Sequence, residues 1–254
     1  MRVPPGYTAL MAGARRALVR DDLVPRLGPW LLRVPLAPPP GATPIAGGRG
    51  ATFRVDLDDG AGVVVRFGRR GGIVARLVRD WYLGVRPRPW HELAVSLAAR
   101  RRGAPVPEVV AACVHGWGAY RSAVVTGEVV GVRSLVAALR AAPPGDTRDA
   151  VARAAGTAVA RLHRAGVVHA DLNLTNILVP VGAVVVADAG ASIVDLDRAR
   201  IRPGTLAPRV RRRSLRRLLR SVGKLDPAGD VVDADVRRLF HEAYARALES
   251  ACES

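Results

Sequence analysis

Read for the spacing of its apolar and polar positions, the chain divides into a strand-patterned half and a helix-patterned half. The runs ending at Phe53-Arg54-Val55 and beginning at Val63-Val64-Val65-Arg66-Phe67 flank the turn Asp58-Asp59-Gly60. That pattern predicts a β-hairpin, entered through the glycine-rich stretch Gly47-Gly48-Arg49-Gly50. Further strands are expected over 106–112 and 119–125. Helical spacing is read through Ile73, Leu77 and Val78 to Trp81, Tyr82 and Leu83. It is read again from about Pro89 to Arg102, with Leu93, Leu97 and Ala98 on one face and a stop at Gly103 before Pro105. After Thr126-Gly127-Glu128 the helical period dominates, and a hinge is placed there. Ala150, Val151, Ala154, Ala155, Ala158, Val159 and Leu162 mark a buried helix from Asp146 or Thr147 to Ala165, with Gly166 as its left-handed stop. A strand over Ile177-Leu178-Val179 and helices over 209–224 and 233–249 complete the reading. Residues 1–44 end in Pro35, Pro38, Pro39, Pro40 and Pro44, a run that cannot continue a helix, and read as a lead-in. The expected organisation is therefore a lead-in over 1–44, a first lobe over 45–125 and a second over 126–254, the last carrying the basic helix 209–224.

Composition narrows the classes. The 254 residues suffice for one large domain or two lobes with a substantial core. No uninterrupted apolar run reaches the length of a membrane span, and Met1-Arg2-Val3-Pro4-Pro5 does not open into a signal peptide, so a soluble cytoplasmic protein is expected. Cys113 and Cys252 are the only cysteines and the five histidines lack ligand spacing, which argues against a disulfide framework or a zinc centre. With 39 basic residues against 22 acidic ones, the net charge is +17 and the pI about 11.5, a balance drawn to polyanions. All the basic residues except Lys224 are arginine, so a codon bias accounts for the total equally well. Aromatic residues are few and the basic ones scattered, so nucleic acid is not an expected partner.

Chemistry enters at His169-Ala170-Asp171-Leu172-Asn173-Leu174-Thr175-Asn176. An aspartate five residues before an asparagine, in a polar loop leading into a strand, fits the pattern H-R-D-x-x-x-x-N. There the aspartate faces the acceptor hydroxyl and the asparagine holds a metal ion on ATP phosphates. The same residues also favour plain turns. A second metal-binding aspartate is needed on the returning strand, and the residues alone leave Asp188 in Val186-Ala187-Asp188-Ala189-Gly190 and Asp195 in Val194-Asp195-Leu196-Asp197 both open. Upstream, Gly48 and Gly50 would let backbone amides approach phosphate. Arg66 occupies the strand position of a kinase lysine, because Lys224 is far downstream and no Walker loop is possible. Glu92, read in a helical first turn, either pairs with Arg66 or answers the helix dipole. His163 and His169 read as structural.

Taken in order, Gly48-Arg49-Gly50, Arg66 with Arg69-Arg70-Gly71-Gly72, Asp171-Leu172-Asn173 with Asn176-Ile177-Leu178, and Asp195-Leu196-Asp197-Arg198 resemble the 3-deoxy-D-manno-octulosonic acid (Kdo) kinases. These group with the lipopolysaccharide heptose kinases. The resemblance spans about residues 45–224, including the basic tail motif Arg220-Ser221-Val222-Gly223-Lys224. It implies an α+β, bilobal protein-kinase-like fold with a small β-rich N-lobe and a larger, mainly helical C-lobe. The implied activity is ATP-dependent phosphorylation of a Kdo hydroxyl on a Kdo-lipid A precursor, at the cytoplasmic face of the bacterial inner membrane. The implied roles are Asp171 as catalytic base, Asn176 and Asp195 as Mg²⁺ ligands, and Gly48, Gly50 and Arg66 on the ATP phosphates with Glu92 holding Arg66. Two departures stand out: the hairpin from Asn176 to Asp195 is long, and Leu196 replaces the more usual phenylalanine. Asn173, two residues past Asp171, is read as a neutral amide suited to an anionic acceptor. The arginines of 209–224 read either as a solvated face or as a contact with an anionic membrane surface and lipid A phosphates. Competing readings are a heptose kinase or atypical protein kinase with the same ATP site, and a non-catalytic basic module.

Overall fold

The computed structural model describes residues 2–45, 52–57, 60–68, 82–84, 87–181 and 190–250. Two compact units emerge, one from Met1–Ala94 with Glu108–Glu128, the other from Val95–Pro107 with Val129–Ser254.

The first unit is built on an antiparallel sheet. In chain order it contains β1 (Tyr7–Ala12), β2 (Arg15–Arg20), helix α1 (Val24–Leu31), β3 (Thr43–Pro44), β4 (Thr52–Asp56), β5 (Gly62–Phe67) and β6 (Tyr82–Leu83). Helix α2 (Arg88–Arg101), inside which the division between units falls, is followed by β7 (Val109–His115) and β8 (Ala119–Gly127). The strands run β1-β2-β7-β8-β5-β4-β3, with β6 also paired to β8. The lead-in expected over 1–44 is thus corrected: residues 7–31 supply two strands and a helix to this unit, and 43–44 a short third strand. Its alanines, leucines and arginines are helix formers, but β2 lies between β1 and β7 with Ala17, Leu18 and Val19 buried, and packing overrides propensity. The β1–β2 hairpin closes through two residues, with Gly13 at φ +61 in the first position. Leu27 and Leu31 of α1 then cover Ala17, Val19, Val65, Val110 and Val125. Cys113 lies in the same core, where burial pushes its thiol up to about 12 and leaves it an inert apolar filler.

The expected hairpin forms as β4 and β5, in register Thr52↔Arg66 to Asp56↔Gly62. The helix read over 73–83 lies outside the described residues except at its end, where Tyr82 and Leu83 pair as a strand with Tyr120 and Ala119. In α2 the buried residues are Pro89, Glu92, Leu93, Val95, Ser96 and Ala99; of the Leu93-Leu97-Ala98 face expected only Leu93 is fully buried, and two polar residues are drawn inward by specific partners. Ser96 Oγ donates to the carbonyl of Pro107 at 3.1 Å; the partner of Glu92 is described below.

The second unit is mainly helical. It comprises β9 (Val132–Ser134), α3 (Leu135–Ala141), α4 (Asp146–Arg164), β10 (Val167–Val168), β11 (Ile177–Pro180), β12 (Ser192–Ile193), β13 (Arg200–Ile201), α5 (Pro208–Leu225) and α6 (Ala234–Glu249). Two small sheets, β12-β11-β9 and β10-β13, edge the helices. Buried α4 crosses α6 so closely that a Cβ on Gly156 would sit 2.3 Å from the carbonyl oxygen of Phe240. Two turns later His163, fully buried, joins three helices. Its Nδ1 lies 2.9 Å from Tyr244 Oη of α6 and its Nε2 3.0 Å from Ser214 Oγ of α5. Burial lowers this ring to about 4, so it is neutral, with one nitrogen donating and the other accepting. On α5 the buried positions are Ser214, Leu218 and Val222. Leu219 is 45% exposed.

Candidate active site

Each unit carries one group of the residues singled out in the sequence. In the first, Arg66 stands on β5 between Thr52 of β4 and Val124 of β8. Its Nη2 donates to Glu92 Oε1 of α2 at 2.5 Å. The guanidinium is 34% exposed while the carboxylate is 6% exposed, so the acid is the buried anchor and the base the part that reaches outward. Because α2 begins at Arg88, Glu92 falls beyond the first turn, where the helix dipole has faded. The ion pair, not the dipole, is therefore the physical reason for an acid there. Gly48 and Gly50 lie outside the described residues.

In the second unit, α4 ends at Arg164 and the chain turns through Gly166, which has φ +74 and whose absent Cβ would meet the carbonyl of Arg202 at 2.3 Å. It then enters the loop 169–176. Here Leu172 and Leu174 point into the core while Asp171 and Thr175 are exposed. Asn173 is the loop's internal brace. Its Oδ1 accepts from the backbone N–H groups of Thr175 (2.8 Å) and Asn176 (3.1 Å) and from Thr175 Oγ1 (2.6 Å), while its Nδ2 donates to the carbonyl of Asp171 at 3.1 Å. The oxygen of this amide and one of its two N–H groups are thus engaged within the loop.

Asn176 donates its Nδ2 to the same Asp171 carbonyl at 2.9 Å, so the two residues are linked across the loop and the side-chain oxygen is the end of the amide left for another ligand. The strand after it sets the position of Asp195. Strands β11 and β12 pair Ile177 with Ile193, and the ladder continues as Val194 N–H donates to the Asn176 carbonyl at 3.0 Å. Asp195 is the next residue, beside Asn176 at the same end of the hairpin. It is the only non-glycine residue with positive φ (69°) among those described. A left-handed aspartate ends the strand sharply and turns its side chain out of the ladder. Asp188 lies outside the described residues.

His169, 1% exposed, clamps these parts together. Its Nδ1 accepts from the N–H of Asp171 at 3.1 Å, which leaves Nε2 as the donor to the carbonyl of Val194 at 3.0 Å. Burial lowers its affinity for a proton, more than the Val194 carbonyl and the Asp195 and Asp171 carboxylates raise it. From the other side, Arg217 Nη1 donates to the His169 carbonyl at 3.0 Å and Ser221 Oγ accepts from the N–H of Leu174 at 3.2 Å. Sequence reasoning did not anticipate that α5 supports this loop; the only trace of it was the spacing of Arg217 and Ser221 in a basic helix.

The donor set suits a hard divalent cation. Asn176 and Asp195 offer an amide oxygen and a carboxylate, too few for a closed protein cage and the right number for a metal that completes its shell with phosphate oxygens and water. Among the described residues no group of three or more His, Cys, Asp or Glu is placed to hold a metal by itself.

Comparison with known proteins shows the family and the fold. Residues 46–244 match the family model described as Lipopolysaccharide kinase (Kdo/WaaP) family. A 3-deoxy-D-manno-octulosonic acid kinase of Xanthomonas campestris pv. campestris (strain B100) is 40% identical over 212 residues, 78% of this chain and 76% of its own. One from Xylella fastidiosa (strain M12) is 36% identical over 214 residues, covering 81% and 80%. Among solved structures, WaaP in complex with acyl carrier protein superposes with TM-score 0.51 at 25% identity over 81% of this chain and 78% of that one. Amicoumacin kinase hAmiN, in complex with AMP-PNP, Ca²⁺ and Ami, reaches TM-score 0.55 at 12% identity over 83% and 73%, a likeness of fold alone. The α+β kinase-like architecture, the family model and the two sequence relatives agree, and the chain belongs to the lipopolysaccharide kinase (Kdo/WaaP) family.

Proposed function

We propose that the protein transfers the γ-phosphoryl group of ATP to a hydroxyl of the Kdo sugar on a Kdo-lipid A precursor, working peripherally at the cytoplasmic face of the inner membrane. The observation that carries this reading is the register of the β11–β12 hairpin. It brings Asn176 and Asp195 to the end of the strands that also holds Asp171, in a chain 40% identical to a Kdo kinase. Asp171, exposed and fixed by backbone contacts on both sides, orients the sugar hydroxyl and accepts its proton as the oxygen attacks the γ-phosphorus. The bond from that phosphorus to the β–γ bridging oxygen breaks, and ADP leaves with its electron pair. Asn176 and Asp195 would hold Mg²⁺, which supplies charge neutralisation on the phosphate oxygens. In the first unit, Arg66, steadied by Glu92, is assigned to the ATP phosphates, with Gly48 and Gly50 supplying backbone amides. A dissociative transition state leaves the protein mainly the work of alignment and neutralisation, which these residue types can do. No helix among the described residues is long and apolar enough to cross a membrane, and the peripheral placement is proposed from the lipid nature of the acceptor.

The test is transfer of labelled phosphate from ATP and Mg²⁺ to Kdo-lipid A precursor in detergent. Asp171→Ala is expected to lower kcat by about 10²- to 10⁴-fold. Asp195→Asn, which tolerates the left-handed backbone, is expected to unfold at the wild-type temperature yet lose transfer. Near-normal turnover in either variant would remove that residue from its assigned role. Wild-type transfer to a heptose acceptor in preference to Kdo would move the reading within the family.

A further inference from the structure

Helix α5 carries a second feature that this activity, as described so far, does not use. Arg209, Arg212, Arg213, Arg216, Arg217 and Arg220 line one open concavity of about 550 Å³. They recur every three or four residues, so they form a single strip along about 16 Å of helix. Like charges at that spacing repel. Three arginines elsewhere in this unit are neutralised by acids: Arg148 by Asp233, Arg153 by Asp149, and Arg238 by Asp235 and Glu242. Among the described residues, none of the six on the strip takes part in an ion pair. A strip of uncompensated guanidinium groups around a concavity is a surface arranged for several negative charges at once.

Two observations decide what kind of anion it suits. The apolar face of α5 is already spent, with Ser214, Leu218 and Val222 buried in the unit's core. The helix therefore cannot lie in a bilayer by its apolar side as an interfacial helix does. The strip is also in fixed register with the loop bearing Asp171: Arg217 donates to the His169 carbonyl, and Ser221, one residue beyond Arg220, holds the N–H of Leu174. A surface serving only bulk leaflet charge needs no such register, whereas one that must present a hydroxyl to Asp171 does. Arginine's forked donors match phosphate oxygens two at a time.

We infer that the arginine-lined concavity of α5 is a subsite for phosphate monoesters carried by the acceptor itself, so that the enzyme selects a phosphorylated glycolipid. This rests on the reading of Asp171 as the residue that faces the acceptor hydroxyl. The subsite sets acceptor affinity, with no part in ATP binding or in the chemical step.

The test uses the triple variant Arg212→Gln/Arg213→Gln/Arg216→Gln, three exposed positions that leave Arg217 and its contact with His169 in place. Two micellar acceptors are compared, the Kdo-lipid A precursor and the same lipid after enzymatic removal of its phosphates. The expected result is a rise in KM for the phosphorylated acceptor of about 10- to 100-fold, as loss of one or two charge-assisted contacts would give. kcat and the KM for ATP should stay near wild type, and the dephosphorylated acceptor should be used equally poorly by both proteins. An unchanged KM, or an equal loss on both acceptors, overturns the inference. So does a defect confined to binding phosphatidylglycerol vesicles with micellar KM unchanged, which would assign the strip to the leaflet. Should the wild type transfer phosphate to neither acceptor, the kinase reading fails. Direct binding of the phosphorylated micellar lipid to wild type and triple variant then decides the subsite, equal affinity counting against it and loss in the triple variant for it.

Discussion

Asn173 illustrates how little a side chain's type says about its direction. Its position two residues past Asp171 suggested an amide suited to an anionic acceptor, and its oxygen and one of its N–H groups hold Thr175, Asn176 and Asp171 in place. The consequence is measurable. Asn173→Ala removes the acceptor that braces three donors, a loss comparable to removing a helix cap, about 0.5–2 kcal/mol, and should depress kcat by misplacing Asp171 and Asn176. Asn173→Asp keeps the bracing oxygen, so its kcat should fall less. Its KM for the anionic acceptor should stay near wild type; a sharply raised KM in that variant would return the residue to the acceptor surface. Asp195 shows the converse. The residues alone left two aspartates open and the family resemblance pointed to Asp195; what the strand register adds is that Asp195 follows β12 in a left-handed conformation beside Asn176.

At the scale of elements, long periodic segments were the legible ones. Helices α4, α5 and α6 and the β4–β5 hairpin lie where their apolar spacing and turn residues put them, within a residue or two at each end. Faces were less legible than lengths. In α2 the buried stripe contains Glu92 and Ser96, and in α5 it contains Ser214, because a polar residue with a partner across the packing can replace an apolar one. Helix α4 adds Gly156, which no hydrophobicity pattern flags. Its role is close approach to α6, and Gly156→Ala should be destabilising by about 1–3 kcal/mol through overpacking against the Phe240 carbonyl, despite alanine's better helix propensity. Urea unfolding decides the sign: a stabilised variant would mean that the two helices can separate at no cost. Short elements such as α3, β1 and β2 carry too few periods to be read, and the proline-rich stretch after α1 obscured what preceded it.

For the whole molecule, pH exposes a buried group on which the second unit depends. His163 is held neutral among α4, α5 and α6, with its protonation lowered to about 4 by burial. The folded state binds this proton more weakly than the unfolded chain does, for which about 6.5 is the ordinary value. The associated stability is therefore complete above about pH 6.5 and is lost progressively as pH falls toward 4. From this ring alone, folding at pH 5 should be weaker than at pH 7 by about 2 kcal/mol. Denaturant titrations of wild type and His163→Gln at the two pH values test it, since the variant's pH dependence should be shallower by that amount. Identical slopes would place the acid sensitivity elsewhere. The amino-acid sequence by itself determined the fold class, the family and the loop 169–176, because local period and short-range motif spacing are written in consecutive residues. Only the tertiary structure decided that residues 7–31 join the first unit's sheet and cover it, that Glu92 answers Arg66 and not the helix dipole, that Asp195 stands beside Asn176, and that α5 braces the loop through Arg217 and Ser221. Each of those depends on strand register or on a partner distant in the chain, and neither is encoded in any single local pattern.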